Sequence, residues 1–218
     1  MRTPLAAMQG YIETLLIKDQ SLTAEQRREY LEIARRHGVQ LGKLVGELFE
    51  LSKLETQVEP TPEAFSLAEL LQDVGLEFQL LAREKGVNLK VVTEPANSMV
   101  YADIALIQRV LENLLKNAIH YTPASGSVRV TLIPNGDAIG VTVADTGSGI
   151  PENELPYIFD RCFRAKREDG REDAGAGLGL AIVKRILDLH GSKIVVESVV
   201  DSGTSFRFDL PLHRPQAA

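Results

Sequence analysis

Between Glu25 and Glu55 the chain keeps one period. Tyr30, Ala34, His37, Leu41, Leu44, Leu48 and Leu51 recur at alternating spacings of four and three. That is the a/d seam of a heptad, widened by Leu31, Val45 and Phe49, and it commits the segment to a long amphipathic helix. Leu5, Met8, Ile12 and Leu15 give an earlier helix the same kind of stripe, and residues 18–26, with Ser and Thr as caps, separate the two. Two helices joined by a short turn form a hairpin with one apolar face. A hairpin cannot bury that face alone, so a homodimer making a four-helix bundle is expected. Thr3 is a good N-cap and Pro4 suits the first helical position. Local chemistry thus allows the first helix to begin here, and equally to be already under way.

After the seam the periods mix. The prolines of "TQVEPTPEAF" and its few apolar residues mark a linker. The expected division is 1–55 hairpin, 56–64 linker, 65–213 a second domain and 214–218 tail. In the second domain a helix runs from Leu67 towards Gly86, strand-like runs lie at 88–93 and 99–102, and another helix covers about 103–121. "SVRVTLI" and "AIGVTVAD" flank Pro134-Asn135-Gly136-Asp137, a hairpin signal. A helix at about 178–190 precedes "KIVVESV" and "TSFRFDL". In the last run Phe206, Phe208 and Leu210 alternate with Arg207 and Asp209, the mark of a strand with one buried face. Helices among antiparallel hairpins imply an α+β chain whose second half is a two-layer α/β sandwich.

Composition narrows the classes. A hydrophobic content of 44% supports a real core, and a net charge of −6 gives no support to nucleic-acid binding. The single cysteine, Cys162, excludes an internal disulfide and fits a reducing compartment, so a cytoplasmic chain is expected. No apolar run reaches the length of about 18 residues that a membrane span needs, so no membrane contact is expected of this chain.

Three stretches carry chemistry. In "LIQRVLENLLKNAIHYTP" the residues Arg109, Asn113, Lys116, Asn117 and His120 fall in one arc, opposite Ile107, Val110, Leu111, Leu114 and Ala118. A solvated face explains Arg and Lys. Two asparagines four apart are less ordinary, because Asn gains little in mid-helix. Amide oxygens beside a lysine suit a hydrated Mg²⁺ on a polyphosphate. "VADTGSGI" places Asp145 at a strand end before Gly147 and Gly149. The plain reading is a turn, the functional one a carboxylate that accepts from an exocyclic amine. "GAGLGLAIVKRI" opens a helix with Gly175, Gly177 and Gly179, where bare backbone approaches a phosphate closely. The charged segment at about 151–174 before it has the composition of a lid.

The order of these stretches is more specific than any one of them. An N-x-x-x-N helix, D-x-G-x-G, the aromatic pair Phe159 and Phe163, G-x-G-L-G-L and "GTSFRFDLP" together resemble the ATP-binding domain of sensor histidine kinases, in the group shared with gyrase, Hsp90 and MutL. The hairpin resembles that family's dimerisation and phosphotransfer domain. The resemblance implies ATP and Mg²⁺ as cofactors, with Asn117 as metal ligand and Asn113 beside it. It implies Lys116 and His120 near the phosphates, Tyr121 near the adenine, and Asp145 accepting from the adenine amine. Gly147 and Gly149 then shape the base pocket. Gly175, Gly177, Leu178, Gly179 and Leu180 close on the phosphates, and Thr204 helps line the base site. It further implies a response regulator receiver domain as partner, and upstream sensor segments that are often membrane-anchored in this family.

The family's first helix carries His-Glu-x-x-Thr-Pro with the histidine as phosphoacceptor. Thr3 and Pro4 match its end, so that histidine is expected to be absent from this chain, and Thr3 takes a phosphatase role by the same resemblance. His37 in the seam, His190 before Gly191 and His213 near the end lack the motif's neighbours. Two other functions stay open: an ATP-binding regulatory module without kinase activity, and a gyrase- or Hsp90-type ATPase. For the latter Glu112 is the one candidate base.

Overall fold

The computed structural model describes residues 2–18, 21–56, 59–94, 98–163 and 177–213. Helix α1 spans Arg2–Ile17 and α2 spans Ala24–Thr56. Because α1 is already helical at Arg2, Thr3 and Pro4 lie inside it, and the reading of Thr3 as an N-cap does not hold. The turn between the helices is closed reciprocally: the Gln26 amide donates to the Thr23 hydroxyl and the Thr23 amide donates to the Gln26 side chain, a capping box. Tyr11 and Tyr30 pack across the pair with ring centroids 5.4 Å apart.

The second domain is two layers, as its alternating patterns require. Its strands are β1 (Glu63–Ser66), β2 (Asn88–Val92), β3 (Met99–Ala102), β4 (Ser127–Asn135), β5 (Ala138–Asp145), β6 (Val195–Val199) and β7 (Gly203–Pro211), and its helices are α3 (Leu67–Lys85), α4 (Ile104–Tyr121) and α5 (Gly179–Leu189). Five strands form one sheet in the order β2-β4-β5-β7-β6, in which only β2 and β4 run parallel. β1 pairs antiparallel with β3 as a separate ribbon. The three helices supply the second layer, with Leu71, Ile107, Leu114, Ile182, Ile186 and Phe208 fully buried between the layers. β1 takes Glu63 and Ala64 from the expected linker; a four-residue strand behind two prolines leaves no periodic signal.

Caps set the helix ends. Ser66 accepts from the Glu69 amide to start α3, and Gly86 ends it at φ +71°. Asp103 starts α4. Of the segment expected to form a lid, a short 3-10 turn at Leu155–Tyr157 is seen, while 164–174 lie outside the described residues.

The hairpin and the second domain touch. Leu51 and Leu54 of α2, 2% and 3% exposed, join the second domain's core. Arg109 of α4 grips the Glu50 carboxylate with two parallel bonds of 2.7 and 2.6 Å. Arg161 pairs with Glu55, and Arg185 donates to the Leu54 carbonyl at 3.0 Å.

Candidate nucleotide site

Helix α4 and the ends of β5 and β7 enclose a cavity of about 570 Å³, within the range of small-molecule sites. Asn117, Tyr121, Asp145, Gly149, Phe163, Leu180 and Thr204 line it, all from the set expected on sequence. Ser148, Ile150, Ile158, Val200, Asp201 and Phe206 line it as well and were not anticipated.

Asp145 is the organising residue. It ends β5, and its Oδ1 accepts from the Gly147 amide at 2.8 Å and the Thr204 amide at 3.3 Å. Among the described residues no hydrogen bond reaches Oδ2, so one oxygen is fixed while the other is available to the cavity. Burial pushes the Asp145 carboxyl up from the ordinary carboxylate value, and the two amides pull it only partly back. A desolvated carboxylate with one oxygen unused is suited to an N–H donor on a flat ligand.

Behind Asp145 sits Ser198 on β6. Its hydroxyl donates to the Gly203 carbonyl, accepts from the Ile150 amide at 2.8 Å, and lies 2.8 Å from the Thr204 hydroxyl. It locks β6, β7 and the glycine turn together. The only sequence signal for it was a small polar residue in an otherwise β-branched run. Gly149 has φ +66°, and a Cβ there would meet the Val199 carbonyl. Gly147 leaves no room either, with the Tyr121 carbonyl 2.6 Å from where a Cβ would stand.

The polar stripe of α4 does not face one way. Asn117 and Tyr121 face the large cavity. Arg109, Asn113 and Lys116 line a second one, about 400 Å³, together with Lys43, Glu47, Glu50, Glu112 and Phe78. There burial and the neighbouring Lys43 ammonium lower Lys116 to about 8. His120 is exposed and sets its ring edge-on to Tyr121, with centroids 4.9 Å apart. Asn113 is buried; its amide donates to the Arg109 carbonyl at 2.8 Å, and its Oδ1 lies 2.9 Å from where a Cβ at Gly179 would stand.

The aromatic pair also divides. Phe163 lines the cavity and stacks on Tyr157, whereas Phe159 packs edge-on to Phe206 beneath Lys184 and serves the core. Gly177, at φ +68°, abuts the Phe163 carbonyl, and Leu178 is buried at the start of α5. Gly175 and the Thr3 side chain lie outside the described residues. Glu112 accepts from Gln108 and Arg109 in the second cavity and does not line the larger one, which weakens the ATPase alternative.

The donor set fits a hydrated magnesium ion on a polyphosphate. Asn117 offers an amide oxygen at the cavity wall, and no cluster of three His, Cys, Asp or Glu residues exists among the described residues to cage a bare metal.

Comparison with known proteins agrees with the geometry. Residues 102–214 match the family described as histidine kinase-, DNA gyrase B- and HSP90-like ATPase, and residues 1–57 match the His Kinase A (phospho-acceptor) domain. The chain is 35% identical over 220 residues to the adaptive-response sensory kinase SasA of Rippkaea orientalis, covering 98% of this chain and 56% of that protein. It is 34% identical over 215 residues to the sensor histidine kinase RppB of a Synechocystis strain, covering 97% of this chain and 47% of that one. The chain thus spans about half the length of these relatives. Among solved structures, the histidine kinase ThkA in complex with the response regulator protein TrrA superposes with a TM-score of 0.78 at 26% identity, over 97% of this chain and 58% of that one. Full-length ShkA in complex with AMPPNP gives 0.73 at 27% identity, over 98% and 44%.

Proposed function

The chain belongs to the sensor histidine kinases of two-component systems, with a phosphoacceptor-type hairpin and an ATPase-type catalytic domain, and from that premise we propose that it binds Mg-ATP in the larger cavity as a kinase core. The γ-phosphate passes to a histidine that is none of the four in this chain, and thence to a response regulator receiver domain. Among similar solved proteins, ThkA is seen with a response regulator and ShkA with AMPPNP, which supports both ligand classes.

The observation that carries this reading is Asp145: a half-buried carboxylate at a strand end, one oxygen held by two backbone amides, in the wall of a cavity of nucleotide size. Its role is to accept from the adenine amine, with Thr204, Tyr121 and Gly149 around the base. Asn117 holds Mg²⁺, which supplies charge neutralisation at the phosphates. Asn113 braces the glycine turn through Gly179. Lys116 and His120 are assigned to the phosphate side. Lys116 stands among hairpin residues while the two domains touch, so that role belongs to a different domain arrangement. The hairpin's exposed Leu31, Leu48 and Phe49 form the homodimer face.

A transfer assay with γ-labelled Mg-ATP tests the proposal on this chain and on a variant extended by His-Glu ahead of Met1. Acid-labile label in the extended protein alone is the expected result. Label on neither, with nucleotide still bound, would replace kinase by regulatory ATP-binding module.

A further inference from the structure

At one corner of the catalytic domain three stretches of chain end on a single residue. Asp103 immediately precedes α4. Its Oδ1 accepts from the Leu106 amide at 3.1 Å and caps the helix. Its Oδ2 accepts from Thr61, in the segment between hairpin and β1, through the amide at 3.0 Å and the hydroxyl at 3.1 Å. Its own amide donates to Nε2 of His190, at the end of α5, at 3.1 Å.

That last bond fixes which ring nitrogen accepts. A backbone N–H only donates, so Nε2 must carry its lone pair, and the ring proton sits on Nδ1, which donates to the Ile186 carbonyl at 2.8 Å. His190 also caps α5 through its backbone and is followed by Gly191 at φ +66°. The ring does something separate: both its nitrogens are used, Nε2 accepting and Nδ1 donating. Asp103 itself is buried. Burial works against its charge, but the Thr61 and Leu106 bonds, with a smaller contribution from the nearby His190, outweigh that and hold its carboxyl below the ordinary value.

We propose that His190 is a positioning residue for the triphosphate end of the nucleotide site, acting through Asp103 on the first turn of α4, and that Thr61 ties that fixed point to the segment arriving from the hairpin. The inference rests on the nucleotide reading above. Helix α4 is a continuous rod of 18 residues, so its register at Asp103 sets where Asn113 and Asn117 stand. Asp145 and Thr204 belong to β5 and β7 and do not hang on this junction. Of the residues placed at the base Tyr121 alone belongs to α4, so loosening the junction lowers affinity for the phosphate end more than for the base, whereas a general loss of structure would lower both together.

The test compares His190→Leu, which removes the acceptor, with His190→Gln, whose side-chain oxygen reaches the place of Nε2. Binding of Mg-ATP and of adenosine is titrated on each, and on Thr61→Val. His190→Leu is expected to weaken Mg-ATP about fivefold, the effect of one hydrogen bond, and leave adenosine within about twofold. His190→Gln restores Mg-ATP affinity, and Thr61→Val moves it in the same direction as His190→Leu. Equal loss of both ligands, or no difference between Leu and Gln, overturns the positioning role. Should the unaltered chain bind neither ligand, the nucleotide reading fails instead. Amide exchange at Leu106 and Ile107 then decides the junction: about tenfold faster in His190→Leu but not His190→Gln supports it, and no change overturns it.

Discussion

Asp145 is a carboxylate kept at a cost to the fold. Its pKa is raised by burial, so its ionised form destabilises the native state at every pH above that raised value. The penalty vanishes as pH falls below the unfolded value, where both states are protonated. Asp145→Asn is therefore expected to melt at the same temperature or higher near neutral pH, with the gain fading in acid, while nucleotide affinity drops by about tenfold or more. Calorimetric melts at two pH values beside a nucleotide titration check both halves. Gly149 is the opposite kind of residue, serving the site by being small. At φ +66° and against the Val199 carbonyl, Gly149→Ala is expected to cost about 1–3 kcal/mol, readable in denaturant unfolding.

Helix α4 shows how one element can be half legible. Its apolar stripe and its pair of asparagines stand out in the sequence because helical period is a local property. Which polar residue faces which cavity depends on where α2 lies, and no local pattern encodes that. Hence Asn117 and Tyr121 line the large cavity, while Arg109, Asn113 and Lys116 line the one shared with the hairpin, Asn113 also lying against Gly179. The strands were readable wherever alternation ran for several residues, as in β4, β5 and β7. β1, four residues long, was not. Ser198 carries no local signal because its importance is purely tertiary. The contact of α4 with α2 is itself testable. Arg109→Glu or Glu50→Arg alone should loosen the docked domains, and the two together should restore docking. With both side chains partly exposed the coupling is about 0.5–1 kcal/mol. Lys116 opposes the contact: its value of about 8 means that docking is penalised while the group is charged and strengthens as pH rises past that value. Lys116→Gln should tighten docking at neutral pH and have no effect at strongly alkaline pH, as judged by small-angle scattering.

The whole molecule joins a phosphoacceptor-type hairpin with an exposed apolar face to a catalytic domain whose core also takes in the end of α2. Leu31 and Phe49 are 58% and 66% exposed on α2, too apolar to be left to water over such a length. Leu31→Asp with Phe49→Asp is expected to give a monomer in analytical ultracentrifugation with the catalytic domain still folded. Among the described residues the catalytic domain meets α2 over its C-terminal part, from Lys43 to Glu55, while the turn to α1 lies at the opposite end of a helix of 33 residues. At 1.5 Å per residue that helix is about 50 Å long. It is a lever with its load at one tip: a tilt of about five degrees at the turn sweeps the docked domain through about 4 Å, comparable to the reach of a hydrogen bond. Small rotations at the turn are thereby converted into displacements of the whole domain that carries the candidate nucleotide site.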